Sequence, residues 1–258
     1  MNKPLVSVIM PTYNCGKYIS ESIDSVLNQT LKDFELIIVD DNSNDNTEDI
    51  VKEYISSYPC ISYIKLDKNS GSANARSIAI SKANGKYIAF LDSDDIWFSN
   101  KLEKQIAFME DNNYLFSATG YKQINEEGND LHIALFPPLK TNYKKMIRLS
   151  NPIGNLTVMY NQEVLGKFVV PDIKRRNDFA LWLQILKKTE YCYGLEEVLG
   201  MYRIGRTDSV SSNKLKQAKY HWHLYHNIEK HNVFRSIYEL SCWAFVKGTG
   251  IGIDKRKI

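Results

Sequence analysis

Leu5-Val-Ser-Val-Ile-Met10 runs straight into Pro11-Thr12-Tyr13-Asn14, and Phe34-Glu-Leu-Ile-Ile-Val39 runs straight into Asp40-Asp41-Asn42-Ser43. Both are short, continuous apolar runs rich in β-branched residues that end abruptly in polar ones. A strand buried on both faces reads this way. Pro11 is expected to stop the first strand. Between the two, Tyr18, Ile19, Ile23, Val26 and Leu27 recur at helical spacing within 17–29. The alternation then repeats. Thr47 stands where it can cap a helix that turns Ile50, Val51, Tyr54 and Ile55 to one face. Residues 61–66 read as a third strand, 73–83 as an Ala-rich helix, and Lys86-Tyr-Ile-Ala-Phe-Leu91 as a fourth strand ending at Asp92. Four such units predict an α/β fold, a mainly parallel sheet flanked by helices on both faces, with right-handed crossovers.

Beyond residue 100 the alternation weakens. A helix is expected over 99–111, then mixed strands and loops to about 170, and a helix over 178–188 with Leu181, Trp182, Ile185 and Leu186 inward. Residues 205–213 form a polar loop, and 213–232 and 234–247 read as helices. The chain has 258 residues, 43% of them hydrophobic and 24% charged, which excludes a disordered chain. A net charge of +3 implies no nucleic-acid partner. Cys15, Cys60, Cys192 and Cys242 are widely spaced with no CxxC pair, so reduced thiols are expected rather than zinc ligands or a disulfide framework. No run approaches the roughly 18 apolar residues of a membrane span, and the opening apolar run is too short for a signal peptide. A soluble, cytoplasmic protein is expected.

In sheets of this kind ligands bind at the carboxyl ends of the strands, where strand order reverses. All four expected strands lead into polar turns: 11–14, 40–43, 69–72 and 92–95. Asp92-Ser93-Asp94-Asp95 is the sharpest of them. Three carboxylates in four residues repel one another at low dielectric, and a hard cation such as Mg²⁺ or Mn²⁺ would offset this. The same residues also suit a solvated turn with a helix cap. Asp41 can accept a hydrogen bond from a base or ribose, or hold a turn. Tyr13 can stack on a base, or pack. Arg76 can pair with a diphosphate, or with a surface carboxylate.

Taken together, Val6-Ser-Val-Ile-Met-Pro-Thr-Tyr-Asn14, Val39-Asp-Asp-Asn-Ser43, Asn69-Ser-Gly71 with Ala75-Arg76, and Asp92-Ser-Asp-Asp95 form a pattern. In that order and spacing, it resembles the family 2 glycosyltransferases of the GT-A fold. The likeness is specific over 5–98 and weaker to about 210. It implies that Tyr13 stacks on uracil with Pro11 and Thr12 beside it, that Asp41 binds the uracil edge, and that Arg76 lies by the nucleotide. Asp92 with Ser93 would meet the ribose, and Asp94 would hold Mn²⁺ or Mg²⁺ on the diphosphate, with Asp92 and Asp95 as further candidate ligands. Arg175-Arg176-Asn177-Asp178 is similar to the family's catalytic segment, which implies that Asp178 is the base; a plain helix N-cap is the other reading of that residue. Many relatives carry Glu-Asp where this chain has Asn177-Asp178, which leaves the role of position 177 open. Loop 205–213 reads either as a segment that closes over the donor, bringing Arg203 and Arg206 to the diphosphate, or as a mobile surface loop. By the same resemblance, 1–212 is the GT-A domain, with a nucleotide-binding half (1–98) and an acceptor-binding half (99–212), and 213–258 is a helical C-terminal extension.

The function implied is inverting, metal-dependent transfer of one sugar from a UDP-sugar to a hydroxyl of a glycan. The acceptor would be a sugar carried on a polyprenyl diphosphate in bacterial O-antigen, lipopolysaccharide or capsule synthesis. No Gln-x-x-Arg-Trp segment of processive synthases occurs. Tyr220, Trp222, Tyr225, Phe234, Tyr238, Trp243 and Phe245, with Lys255-Arg256-Lys257, fit either packing on the domain or peripheral contact with the inner face of a membrane. Two rivals are weighed. A sugar nucleotidyltransferase would need a Gly-rich loop where 11–17 holds only Gly16. A non-catalytic sugar- or nucleotide-binding protein would need neither Asp94 nor Asp178.

Overall fold

A computed structural model describes residues 3–149, 151–205, 214–250 and 254–258. The first half alternates as expected: β1 (Val6–Thr12), α1 (Ile19–Leu27), β2 (Phe34–Asp40), α2 (Thr47–Ser57), β3 (Ile61–Lys65), α3 (Ser72–Lys82) and β4 (Tyr87–Phe90). Then come β5 (Ile96–Trp97), α4 (Lys101–Asp111), β6 (Phe116–Ile124), β7 (Asp130–Phe136), β8 (Lys140–Thr141), α5 (Tyr143–Met146), β9 (Met159–Asn161), α6 (Gln162–Leu165), α7 (Asn177–Lys188) and β10 (Cys192–Arg203). The described chain ends with α8 (Lys214–Trp222), a π-helical turn (His223–Ile228), α9 (Val233–Thr249) and β11 (Asp254–Lys257).

One sheet runs in the order β3-β2-β1-β4-β9-β6-β7-β11, with β10 parallel to β6. Strands β1 to β4 are parallel, and β9 is antiparallel to both β4 and β6. The chain steps from β1 outward to β2 and β3, then returns to place β4 on the other side of β1. Strand order therefore reverses at β1, and the carboxyl ends of β1 and β4 open a crevice.

The uninterrupted apolar strands are explained by two covered faces. Ile9, Ile37, Val39, Ile88 and Phe90 pack beneath α3 and α7. Their neighbours in the alternation, Val8, Met10, Leu36, Ile38 and Ala89, pack beneath α1, α2 and α4. Helix α3 presents Ala73, Ala75 and Ala79 to the sheet, small side chains that let its axis approach closely. Helix α7 is buried nearly all round, and its Trp182 meets Phe90 edge-on at 5.0 Å. Truncating such a ring to Ala costs about 3–5 kcal/mol.

Two local expectations are corrected. Pro11 does not stop β1, which continues to Thr12 beside β2. Ile9 faces β4, since its carbonyl accepts from Leu91, and Thr12 faces β2, since its carbonyl accepts from Asp41. Pro11 therefore turns its missing N–H to the β4 side, where that strand has already ended. Nor does Thr47 cap α2. It is the first helical residue, and its hydroxyl accepts from the Cys15 N–H at 2.9 Å. None of the four cysteines is in a disulfide. Among the described residues no helix is long and apolar enough to cross a membrane. The last strand, β11, contains Lys255-Arg256-Lys257 and pairs with β7 at the sheet edge.

Candidate active site

The crevice at β1 and β4 is built from short loops held to one another. Asn14, in the left-handed region at φ 45°, donates its N–H to Ser43 Oγ (2.9 Å) and accepts at Oδ1 from the Asn44 N–H (2.9 Å). Gly16 donates its N–H to Asp45 Oδ2 (3.0 Å). A Cβ at Gly16 would fall 2.0 Å from Asn46 Oδ1, so a larger residue there would displace the Asn46 side chain. These bonds fix the backbone that follows Tyr13, a residue that stands 45% exposed.

Asp40 and Asp41 are adjacent but do different work. Asp40 is fully buried. It accepts from the Ser43 N–H and the Tyr63 hydroxyl, both at 2.7 Å, and so holds its own turn. Asp41 reaches across to the start of α3. Its two oxygens accept from the Ser70 and Gly71 N–H groups, each at 2.7 Å. Gly71 sits at φ 91°, a conformation that favours glycine. Pro11, Thr12, Tyr13, Asp41, Ser72, Ala75 and Asp92 together line a cleft of about 100 Å³. A second cavity of about 320 Å³ shares Ser72 and extends past Asp172 and Lys174 to Asn177. A roomier cavity of about 580 Å³ opens beside Asp33, Phe34 and Ile61, at the amino ends of β2 and β3, away from these turns.

Arg76 ties the strand tips to α7. The guanidinium is 4% exposed. Its Nη2 donates to Asp92 Oδ1 at 2.9 Å and its Nη1 to Asn177 Oδ1 at 2.6 Å. The Asn177 amide donates to Ser72 Oγ at 3.1 Å. Position 177, left open by the sequence, thus fastens the start of α7 to α3. Asp178 follows in the first helical turn, partly exposed, and accepts at Oδ2 from the Asn151 amide at 2.9 Å. It does not cap α7, which has no side-chain cap. Arg176, just before the helix, is held at φ 66°. A non-glycine residue there carries backbone strain of order 1–3 kcal/mol. In the sequence Asn177 is marked only by its place beside Asp178, and Asn151, 27 residues away, carries no signal.

The acidic turn splits in two. Asp92 and Asp94 remain partly exposed, with Ser93 buried between them. Asp95 is 1% exposed. One of its oxygens accepts from the Arg203 N–H (2.9 Å) and the other is buried with no hydrogen-bond partner. Burial first, then the charges of Asp94 and Asp92, push its carboxyl well above the usual range, toward the neutral form. Asp95 thus lies behind the exposed part of the turn, with one oxygen committed to the Arg203 backbone.

The expectation for Arg203 is corrected. Its side chain is buried, with Nε donating to the Asp94 carbonyl (3.0 Å), Nη1 to the Glu126 carbonyl (3.0 Å) and Nη2 to Glu21 Oε2 (2.6 Å). Its donors are engaged below the acidic turn, so it braces Asp94 from behind instead of reaching a diphosphate. Arg206 and the loop to residue 213 lie outside the described residues.

The donor set at Asp92 and Asp94 suits Mg²⁺ or Mn²⁺, hard ions held by one or two carboxylates together with substrate phosphates. Among the described residues no group of three or more His, Cys, Asp or Glu is arranged to hold a metal by itself. An ion completed by phosphate oxygens needs none.

Comparison with known proteins fits this geometry. The model of the family described as glycosyl transferase family 2 matches residues 7–165. The glycosyltransferase TuaG of Bacillus subtilis (strain 168), provisionally named for teichuronic acid biosynthesis, is 41% identical over 98% of both chains. The Escherichia coli protein WfgD is 38% identical over 93% of both chains. It is named a UDP-Glc:α-D-GlcNAc-diphosphoundecaprenol β-1,3-glucosyltransferase. Among solved structures, S. aureus TarS 1-349 in complex with UDP superimposes with a TM-score of 0.68 over 94% of this chain and 71% of that one, at 22% identity. The chain therefore belongs to glycosyl transferase family 2 and is a glycosyltransferase of the GT-A fold.

Proposed function

We propose that this enzyme moves a single hexose-type sugar from a UDP-sugar to a hydroxyl of a membrane-lipid-linked sugar, with inversion and with a bound Mn²⁺ or Mg²⁺, in the synthesis of a bacterial surface polysaccharide. One observation carries the reading. Arg76 links Asp92, at the tip of β4, to Asn177, which precedes Asp178 at the start of α7. That link fastens a donor-side strand tip to the helix turn that carries the candidate base.

In this reading uracil lies on the exposed Tyr13 ring beside Pro11 and Thr12. Asp41 shapes the floor by holding Ser70 and Gly71, and Asp92 and Ser93 meet the ribose. Asp94, with Asp92 beside it, would hold the divalent ion, which when bound stabilises negative charge on the departing diphosphate. Asp178, oriented by the Asn151 amide, accepts the proton of the acceptor hydroxyl as its oxygen attacks the anomeric carbon. The C–O bond to the diphosphate breaks as the new glycosidic bond forms. One displacement with one base inverts the centre, so an α-linked donor gives a β-linked product. WfgD and WfaP, the latter 37% identical, support this: both are named for β-1,3-glucosyl transfer from UDP-Glc to a diphosphoundecaprenol-linked sugar. The structure of S. aureus TarS 1-349 in complex with UDP-GlcNAc supports this class of donor on the fold.

The test is a screen of UDP-sugars with Mn²⁺ and synthetic lipid-linked acceptors, reading product mass and anomeric configuration, repeated with Asp178→Asn. A β-linked single-sugar product and a loss of at least about 10² in the variant's kcat are expected. Retention of configuration, or transfer by Asp178→Asn at the parent rate, would overturn the assignment.

A further inference from the structure

Helix α9 has two apolar faces, and the described residues cover only one. Ser236, Glu239, Trp243 and Val246 are buried. Phe234, Ile237, Tyr238 and Phe245 stand in solvent, with Phe234 86% and Phe245 62% exposed. Their spacing forms a single stripe over three turns, about 16 Å long at 1.5 Å per residue. A groove of about 380 Å³ lies beside it, lined on the helix by Tyr238, Cys242, Phe245 and Val246 and on the other side by Arg148 and Leu149. A contiguous exposed apolar surface of this kind marks a contact with something else.

Charge identifies the occupant. The exposed charged residues of α9 are Arg235 and Lys247, and Arg148 sits at the rim with its guanidinium 5.3 Å from the Tyr238 ring centre. The acid on this helix, Glu239, is buried and lies 3.7 Å from both Arg148 and Arg235, so it offsets one positive charge of the two. Leu149 also borders a neighbouring groove that contains Lys145, and the acids there, Glu196 and Asp254, both pair with Arg256. A two-fold contact with a second copy would set this cationic rim against itself. Anionic headgroups would meet it with opposite charge while the aromatic stripe enters the acyl boundary.

We infer that the outer face of α9 is the surface on which this protein lies against an anionic bilayer. The inference rests on the proposed function in one respect, that the acceptor is carried on a membrane lipid. Arg148 at the groove is three residues from Asn151, whose amide orients Asp178. That is at most about 10 Å of chain. A lipid-borne sugar would thus approach the base from the bilayer side.

The full-length protein is tested by co-sedimentation with vesicles of phosphatidylcholine alone and of phosphatidylcholine with phosphatidylglycerol. Binding is expected on the anionic vesicles, weakening as salt rises. The double variant Phe234→Ser/Phe245→Ser, altered only at exposed positions, should lower the partition coefficient at least about tenfold. Its transfer to a water-soluble acceptor should stay at the parent rate, while transfer to the acceptor in vesicles falls. Equal binding of parent and variant, or no preference for anionic vesicles, overturns the inference. So does a parent dimer that the variant dissociates while neither protein binds vesicles. Absence of transfer in both proteins would count against the function alone, because vesicle binding is read without catalysis.

Discussion

Replacing Arg76 by Met probes the link between β4 and α7 directly. The guanidinium makes two short hydrogen bonds, to Asp92 at 2.9 Å and to Asn177 at 2.6 Å. A hydrogen bond to a charged group contributes about 1.5–3 kcal/mol. The Asp92 bond belongs at the low end, since that carboxylate is 31% exposed and rehydrates when its partner leaves. Asn177 is buried, and its orphaned oxygen costs about 1–3 kcal/mol. Against this, the parent already buries a cation whose Nε has no hydrogen-bond partner, a burden the Met variant sheds. The net loss is about 2 kcal/mol, which lowers Tm by about 4–8 °C in a chain of this size. The catalytic effect is expected to be larger, about 10²-fold in kcat, because Asp92 and the start of α7 lose their shared clamp. Arg76→Lys keeps the charge but cannot bridge two partners with one planar fork, so it should recover Tm more fully than kcat. The assays are thermal unfolding by circular dichroism and steady-state transfer. A Met variant with the parent's Tm and kcat would refute the reasoning.

Two further predictions concern stability. His221 is buried with one ring nitrogen hydrogen-bonded to the Tyr225 hydroxyl at 3.1 Å, and burial, then Arg176 and Lys247, lower its pKa to about 2. The unfolded imidazole gains a proton below about 6.5 and the folded one does not. Stability is therefore full above that pH and declines as pH falls toward the folded value, by about 2 kcal/mol at pH 5. His221→Phe should flatten the fall of Tm between pH 7 and pH 5, and an unchanged slope would contradict this. Lys101 is fully buried over the Trp97 ring at 3.8 Å, its Nζ without a hydrogen-bond partner, and burial drives its pKa well down. The unfolded chain binds this proton more readily, so the parent gains stability as pH rises toward the ordinary lysine value. Lys101→Met should raise Tm, with an advantage that shrinks at alkaline pH. A lower Tm at neutral pH would show that the ring contact outweighs desolvation.

Strands β1 to β4 and their helices were legible because burial on both faces leaves an unbroken apolar signature with polar ends. The second half hides its strands. β10 runs twelve residues, but its pairing with β6 is irregular between Leu195 and Val198 and again between Val198 and Met201, so no period of two survives. β11 is Asp254-Lys-Arg-Lys257, a charged edge strand with no apolar residue to mark it in the sequence. At the site, sequence placed the acids at the strand tips but not the direction each one faces. Asp94 stays at the surface while its neighbour Asp95 is buried beneath, and Arg203 serves that buried layer. Asn177 and Asn151 act through contacts spanning 101 and 27 residues, which no local pattern encodes. The aromatic residues near the C-terminus divide by helix face: Tyr225 and Trp243 pack inward, whereas Phe234, Tyr238 and Phe245 stay outside.

The claim beneath all of this is that a cation held at Asp94 grips the donor diphosphate. Titration calorimetry of UDP into the purified enzyme, with and without Mn²⁺, measures it without any acceptor. The parent should bind UDP at least about tenfold more tightly with Mn²⁺, and Asp94→Asn should lose that difference while its Tm stays near the parent's. Equal UDP affinity with and without Mn²⁺ in the parent, or an undiminished Mn²⁺ effect in Asp94→Asn, would contradict it.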